Sequence, residues 1–166
     1  MPPVFVSIGS NIDRRRSIDA GLRALRQRYG VLRLSSVYET DAVGFSGEPF
    51  YNLVAAFHSD EPPEAINAFF KTVELAQGRN PDDPKFAPRT LDIDMILYGD
   101  RIIDQPGLRL PRDEIDRYAF VLEPLAEIEP AMRYPGRDQT FGQMWRQAVA
   151  GGRMAPAKRV SWTPED

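Results

Sequence analysis

The sequence predicts an α+β fold: a ferredoxin-like βαββαβ core, an antiparallel sheet with helices packed on it, followed by extra C-terminal helical elements. Three observations predict it. Apolar residues alternate with period two in several short runs, they recur at helical spacing between those runs, and glycine or proline marks most of the changes of period. The 166 residues fit a single domain, 1–166, whose last stretch from about 151 to 166 reads as a loosely held tail.

Residues 3–10 form the first strand, with Val4, Val6 and Ile8 on one face. Gly9-Ser10-Asn11 turns the chain, and Asp13 stands where a helix begins. Ile18, Leu22, Leu25 and Tyr29 then share one helix face, and Gly30 is the stop. Residues 31–40 read as a second strand, 41–49 as a loop and 50–58 as a third strand. Pro62-Pro63 opens a second helix, because the first turn tolerates proline, and Ile66, Phe69, Phe70 and Val73 give it an apolar face. Gly78 ends it. A loop rich in proline and charge, 79–88, leads into a fourth strand at 91–98. Beyond another loop come a turn or short helix at 120–127 and a helix at 140–149.

Lys and Arg total 21 against 24 Asp and Glu, a net charge of −3, which disfavours a general nucleic-acid binder. No apolar run has the length of a bilayer-spanning helix, and the first residues read straight into a strand rather than into a signal peptide. No membrane partner is expected, and the cytoplasm is the default compartment. With no cysteine, thiol nucleophiles and thiolate metal sites are excluded. The only histidine, His58, falls in the third strand, away from every motif, and reads as structural or surface.

The strongest local signal is Arg89-Thr90-Leu91-Asp92-Ile93-Asp94. On a strand, Asp92 and Asp94 point to one face and Leu91 and Ile93 to the other. Adjacent carboxylates repel unless a cation lies between them, and magnesium takes one or two carboxylates plus phosphate oxygens. For an isolated Asp-x-Asp the alternative is one solvated aspartate and one paired with arginine. Here Arg79, Lys85 and Arg89 precede the pair, and Arg112 and Arg117 follow it. Carboxylates among cations make sense when a polyphosphate bridges them, since phosphoryl-type transfer is largely positioning and charge neutralisation. There is no G-x-x-x-x-G-K-[ST] loop, so side chains would hold the nucleotide.

Six segments carry a resemblance. They are residues 6–11, Ser36-Val37-Tyr38-Glu39-Thr40, Phe50-Tyr51-Asn52, Glu74 with Gly78-Arg79, residues 88–94, and Phe120-Val121-Leu122-Glu123-Pro124-Leu125. In this order and spacing they resemble the 6-hydroxymethyl-7,8-dihydropterin pyrophosphokinases, from the first strand to Pro130. The resemblance implies transfer of a diphosphate from ATP to the pterin hydroxymethyl group, in folate biosynthesis. Its partners would be those two small molecules, with two magnesium ions as cofactor, and a monomer is the expectation. It implies that Asp92 and Asp94 hold the metal, with Arg79 and Arg89 also catalytic. Glu74, Lys85, Arg89, Arg112 and Arg117 would serve ATP. Thr40, Val43, Phe50, Asn52, Asp92 and Phe120 would line the pterin pocket, the two phenylalanines stacking on the ring and Asn52 reading its edge.

The chain also departs from that family. Leu110-Pro111-Arg112 stands where Pro-His is usual, and arginine exchanges no proton near neutral pH. Two residues, Tyr118 and Ala119, separate Arg117 from Phe120, where one is more common, and Asp41 replaces a common proline. A diverged paralogue that binds pterin or nucleotide with little catalysis is therefore the alternative reading. A ferredoxin-like RNA-binding module is a second, disfavoured by the charge and the aspartates.

Overall fold

The computed structural model describes residues 1–41, 47–78 and 90–165. Val43, Arg79, Lys85 and Arg89 lie outside the described residues. Chain order begins β1 (Pro3–Ser10), α1 (Arg14–Tyr29), β2 (Arg33–Leu34), β3 (Tyr38–Thr40), β4 (Phe50–His58), α2 (Pro63–Ala76) and β5 (Asp92–Tyr98). It continues with β6 (Ile103–Gln105), β7 (Leu108–Leu110), α3 (Glu114–Arg117), α4 (Ala119–Ile128), α5 (Phe141–Ala150) and β8 (Lys158–Arg159).

The main sheet runs β5-β1-β4-β3-β8, with β2 also on β4, and each of these pairs is antiparallel. Alternation along the strands sends side chains to two cores. Val4, Val6, Ile8, Leu53, Ala55, Phe57, Ile93 and Met95 pack with Ile18, Leu22 and Leu25 of α1 and with Ile66, Phe70 and Val73 of α2. Phe5, Val54, Ala56 and Ile96 pack on the other face with Val121, Leu122 and Leu125 of α4 and Phe141, Met144 and Ala148 of α5. Each helix therefore buries one apolar stripe against one side of a sheet that is apolar on both.

Local signals account for the helix ends. Gly30 takes φ 81 and its N–H bonds Arg26 O, closing α1. Thr140 caps α5 in a full capping box with Gln143, so the helix starts one residue later than the sequence suggested.

The structure corrects several expectations. The second strand is split into β2 and β3, because Ser35 turns back on β4: Ser35 N donates to Val54 O, and Val54 N donates to Ser35 Oγ. The loop after β5 contains the β6–β7 hairpin. The segment at 120–127 is a ten-residue helix despite Pro124 within it. The C-terminal stretch is tied down rather than loose. Residues 158–159 pair with β3, Val160 N donates to Val37 O, Trp162 stacks on Tyr51, and Arg26 donates to Glu165 O.

Candidate active site

The sheet face that carries α4 and α5 is apolar at one end and polar at the other. Register explains where the change falls. Gly9 of β1 stands between Asn52 on β4 and Asp92 on β5, and Ser7 stands between Val54 and Asp94. Asp92 and Asp94 alternate with Ile93 and Met95, which are buried in the opposite core, so both carboxylates share the α4 side. Along β1 this face reads Phe5, Ser7, Gly9: bulk where α4 and α5 pack on it, then two small residues.

Asn52 is buried and its Nδ2 donates to Thr40 Oγ1 at 2.7 Å. That bond fixes the amide, leaving Oδ1 beside Gly9. A Cβ on residue 9 would come within 2.8 Å of Asn52 Oδ1 and 3.7 Å of the Phe50 ring. Glycine is thus required by close approach on this floor. Thr40 and Phe50 are cross-strand partners at the same end of the sheet.

Acidic residues of α4 set its direction. Glu129 pairs with Arg33 at 2.6 Å, and Glu127 accepts from Ser36 and from Tyr38 Oη. Glu123 accepts from Ala157 N, the neighbour of Lys158, which pairs with Glu39. The helix therefore runs back along β3, and its first residues, Phe120 among them, lie at the end that carries Thr40 and Phe50. Phe120 is half-buried and stacks on Tyr118, with ring centroids 4.9 Å apart.

Asp92 and Asp94 are each only partly buried by surface area. Burial, then repulsion from Asp92, pushes the Asp94 carboxyl up to about 8, while Arg112 opposes the rise and Glu74 and Glu114 add to it. Two carboxylates on one strand face, each repelling the other, form a donor set that a hard cation fits. Among the described residues, no group of three or more acidic, histidine or cysteine side chains converges. Glu74, buried on α2, accepts from Ile93 N at 2.8 Å and so grips β5 between the two aspartates.

Arg112 acts electrostatically on Asp94 and Asp92. Arg117 sits differently: its guanidinium is exposed, donates to Asp113 at 2.9 Å and reaches over the Tyr118 ring. The structure thus brings Thr40, Phe50, Asn52, Asp92, Asp94 and Arg112 to one end of the sheet, with Glu74 behind β5, and it leaves Arg117 on the surface of α3. Ser7, Gly9 and Glu114 were not singled out from the sequence. Period two along β1 would have found the first two, because small residues break an otherwise apolar face.

The 7,8-dihydro-6-hydroxymethylpterin-pyrophosphokinase (HPPK) family description matches residues 5–130. The chain is 36% identical over 136 residues to a 2-amino-4-hydroxy-6-hydroxymethyldihydropteridine pyrophosphokinase of Pseudomonas aeruginosa, covering 80% of this chain and 83% of that one. It is 33% identical to the protein of the same name from Aquifex aeolicus, covering 81% and 85%. A crystal structure of an HPPK-DHPS in complex with substrates superposes with a TM-score of 0.73 at 11% identity, over 92% of this chain and 44% of that longer one. This chain thus spans less than half the length of that two-part protein, and at 11% identity the likeness speaks for the fold alone. The chain belongs to the 7,8-dihydro-6-hydroxymethylpterin-pyrophosphokinase family.

Proposed function

We propose that this protein is an ATP-dependent pyrophosphokinase that transfers diphosphate from ATP to the hydroxymethyl group of 6-hydroxymethyl-7,8-dihydropterin, in folate biosynthesis. The observation that carries the reading is a juxtaposition in a chain of this family. The Asp92 and Asp94 carboxylates share one end of the sheet with the fixed Asn52–Thr40 amide across Gly9.

In this reading the pterin lies over Gly9, between Phe50 and Phe120. The Asn52 amide, fixed by Thr40, reads its edge, and Val43 completes the pocket. Arg112 supplies fixed positive charge to the ATP phosphates, joined by Arg79, Lys85, Arg89 and Arg117. Asp92 and Asp94 would hold two magnesium ions, which neutralise phosphate charge when bound, and Glu74 keeps the two carboxylates in register. The pterin hydroxyl oxygen forms a bond to the β-phosphorus as the bond from that phosphorus to the α,β-bridging oxygen breaks. AMP leaves with the bridging oxygen, and the hydroxyl proton passes to solvent. Excluding water matters because hydrolysis of ATP competes. The strand order β5-β1-β4-β3 supports a ferredoxin-like core with added C-terminal helices, and in this reading the protein is a cytoplasmic monomer.

The test is a reaction of the purified protein with ATP, magnesium and the pterin, separating AMP from ADP. Pterin-dependent AMP is the expected product. ADP, or no nucleotide product, would overturn the reading.

A further inference from the structure

Strand β5 has one residue more than β1 needs. Met95 pairs with Val6 and Leu97 with Phe5, so Ile96 is an unpaired bulge just after the aspartates. Its carbonyl accepts from Arg112 N at 3.1 Å, docking the backbone of residue 112 beside β5 two positions past Asp94. The side chain is held as well. Arg112 Nε donates to Glu114 Oε2 at 2.5 Å, and both side chains are sheltered, 35% and 25% exposed.

One of the guanidinium's five N–H donors is thus committed, and among the described residues the Nη groups have no hydrogen-bond partner, a fork of the kind that grips phosphate bidentately. Arginine without such a tether has many rotamers, and this one has two aspartates within electrostatic reach. Untethered, it would swing onto Asp94 and occupy the place of an incoming cation and its phosphates. Glu114, two residues further on, offers a competing carboxylate.

We propose that Glu114 is a positioning residue for the nucleotide: by holding Arg112 Nε it aims the Nη fork at the phosphates that gather at Asp92 and Asp94. This rests on the pyrophosphokinase reading and extends it to a residue that touches neither substrate.

Calorimetric titration with a non-hydrolysable ATP analogue and magnesium tests it, on folded protein verified by thermal unfolding. Glu114→Ala weakens analogue binding roughly tenfold and leaves pterin binding unchanged. Glu114→Gln, whose amide oxygen still accepts from Nε, restores most of the loss. In an Arg112→Ala background, Glu114→Ala has no further effect. Equal weakening in both backgrounds, no weakening at all, or a Gln variant as impaired as Ala would each overturn the proposal. A wild type that makes AMP while Glu114→Ala binds normally removes this inference alone. A wild type that makes no AMP removes the reading on which it rests.

Discussion

Glu74 Oε2 accepts a hydrogen bond from Ile93 N at 2.8 Å, and Ile93 is the residue between Asp92 and Asp94. Strand β5 is the edge of the sheet, so Glu74 supplies the acceptor that a further strand would have supplied. The bond ties α2 to the strand that carries both aspartates. Glu74→Ala leaves a buried N–H without its acceptor, at a cost of about 1–3 kcal/mol. We expect a lower melting temperature and weaker magnesium-dependent nucleotide binding in the same variant. Unchanged stability would show that β5 needs no such grip.

Asp94 gives the apo-protein a pH signature. Its carboxyl is raised in the fold from 3.8 to about 8 by burial and by Asp92. Between those values the folded chain keeps the proton and the unfolded chain loses it. The favourable contribution is therefore complete below about pH 4 and is lost as pH rises through 8. Melting temperatures measured without magnesium should carry a component that falls across that window. Asp94→Asn, which cannot ionise, should lack it and be more stable than wild type at pH 8. Parallel pH profiles for the two proteins would contradict this assignment.

With the pterin proposed to lie over Gly9, a change there should separate pterin from nucleotide requirements. A methyl group at residue 9 meets Asn52 Oδ1 at 2.8 Å, closer than carbon and oxygen normally approach, so Asn52 must move and its bond to Thr40 is disturbed. Gly9→Ala should raise the KM for pterin by roughly tenfold, about 1.4 kcal/mol, with the KM for ATP little changed. A rise in both would mean that the floor of the site is shared.

The C-terminal strap gives a prediction about the edge of the pocket. Residues 158–159 complete the sheet beside β3, which carries Thr40, and Trp162 closes over Tyr51. Deleting the chain from residue 157 onward strips β3 of that neighbour and should lower both the melting temperature and pterin affinity. Unaltered pterin affinity would confine the strap to stability.

Much of this was legible in the sequence because period-two and helical-period patterns translate directly into burial. β1, β4, β5, α1 and α2 lie within a residue or two of where alternation and helical spacing put them. What was not legible depended on contacts far apart in the chain. The break between β2 and β3 comes from Ser35 bonding Val54, and the tail is held by β3, Glu123 and Arg26, none of them near it in sequence. The Asp-x-Asp pair was readable from strand alternation alone. The Ile96 bulge was not, since an extra residue changes register without changing composition, and with it went the placing of Arg112 and Glu114. Arg117, which the resemblance assigns to ATP, sits at the end of a four-residue helix with its guanidinium on Asp113, a local contact that the sequence did not show.

Phosphorus NMR of a single reaction, run with wild type and with Asp94→Asn, tests the central claim most directly. The account predicts that wild type converts ATP and pterin into equal amounts of AMP and a pterin carrying both the β- and γ-phosphorus. It predicts that Asp94→Asn, still folded, is slower by at least roughly 100-fold. A pterin product bearing one phosphorus, or an Asp94→Asn variant of near-normal rate, would contradict it.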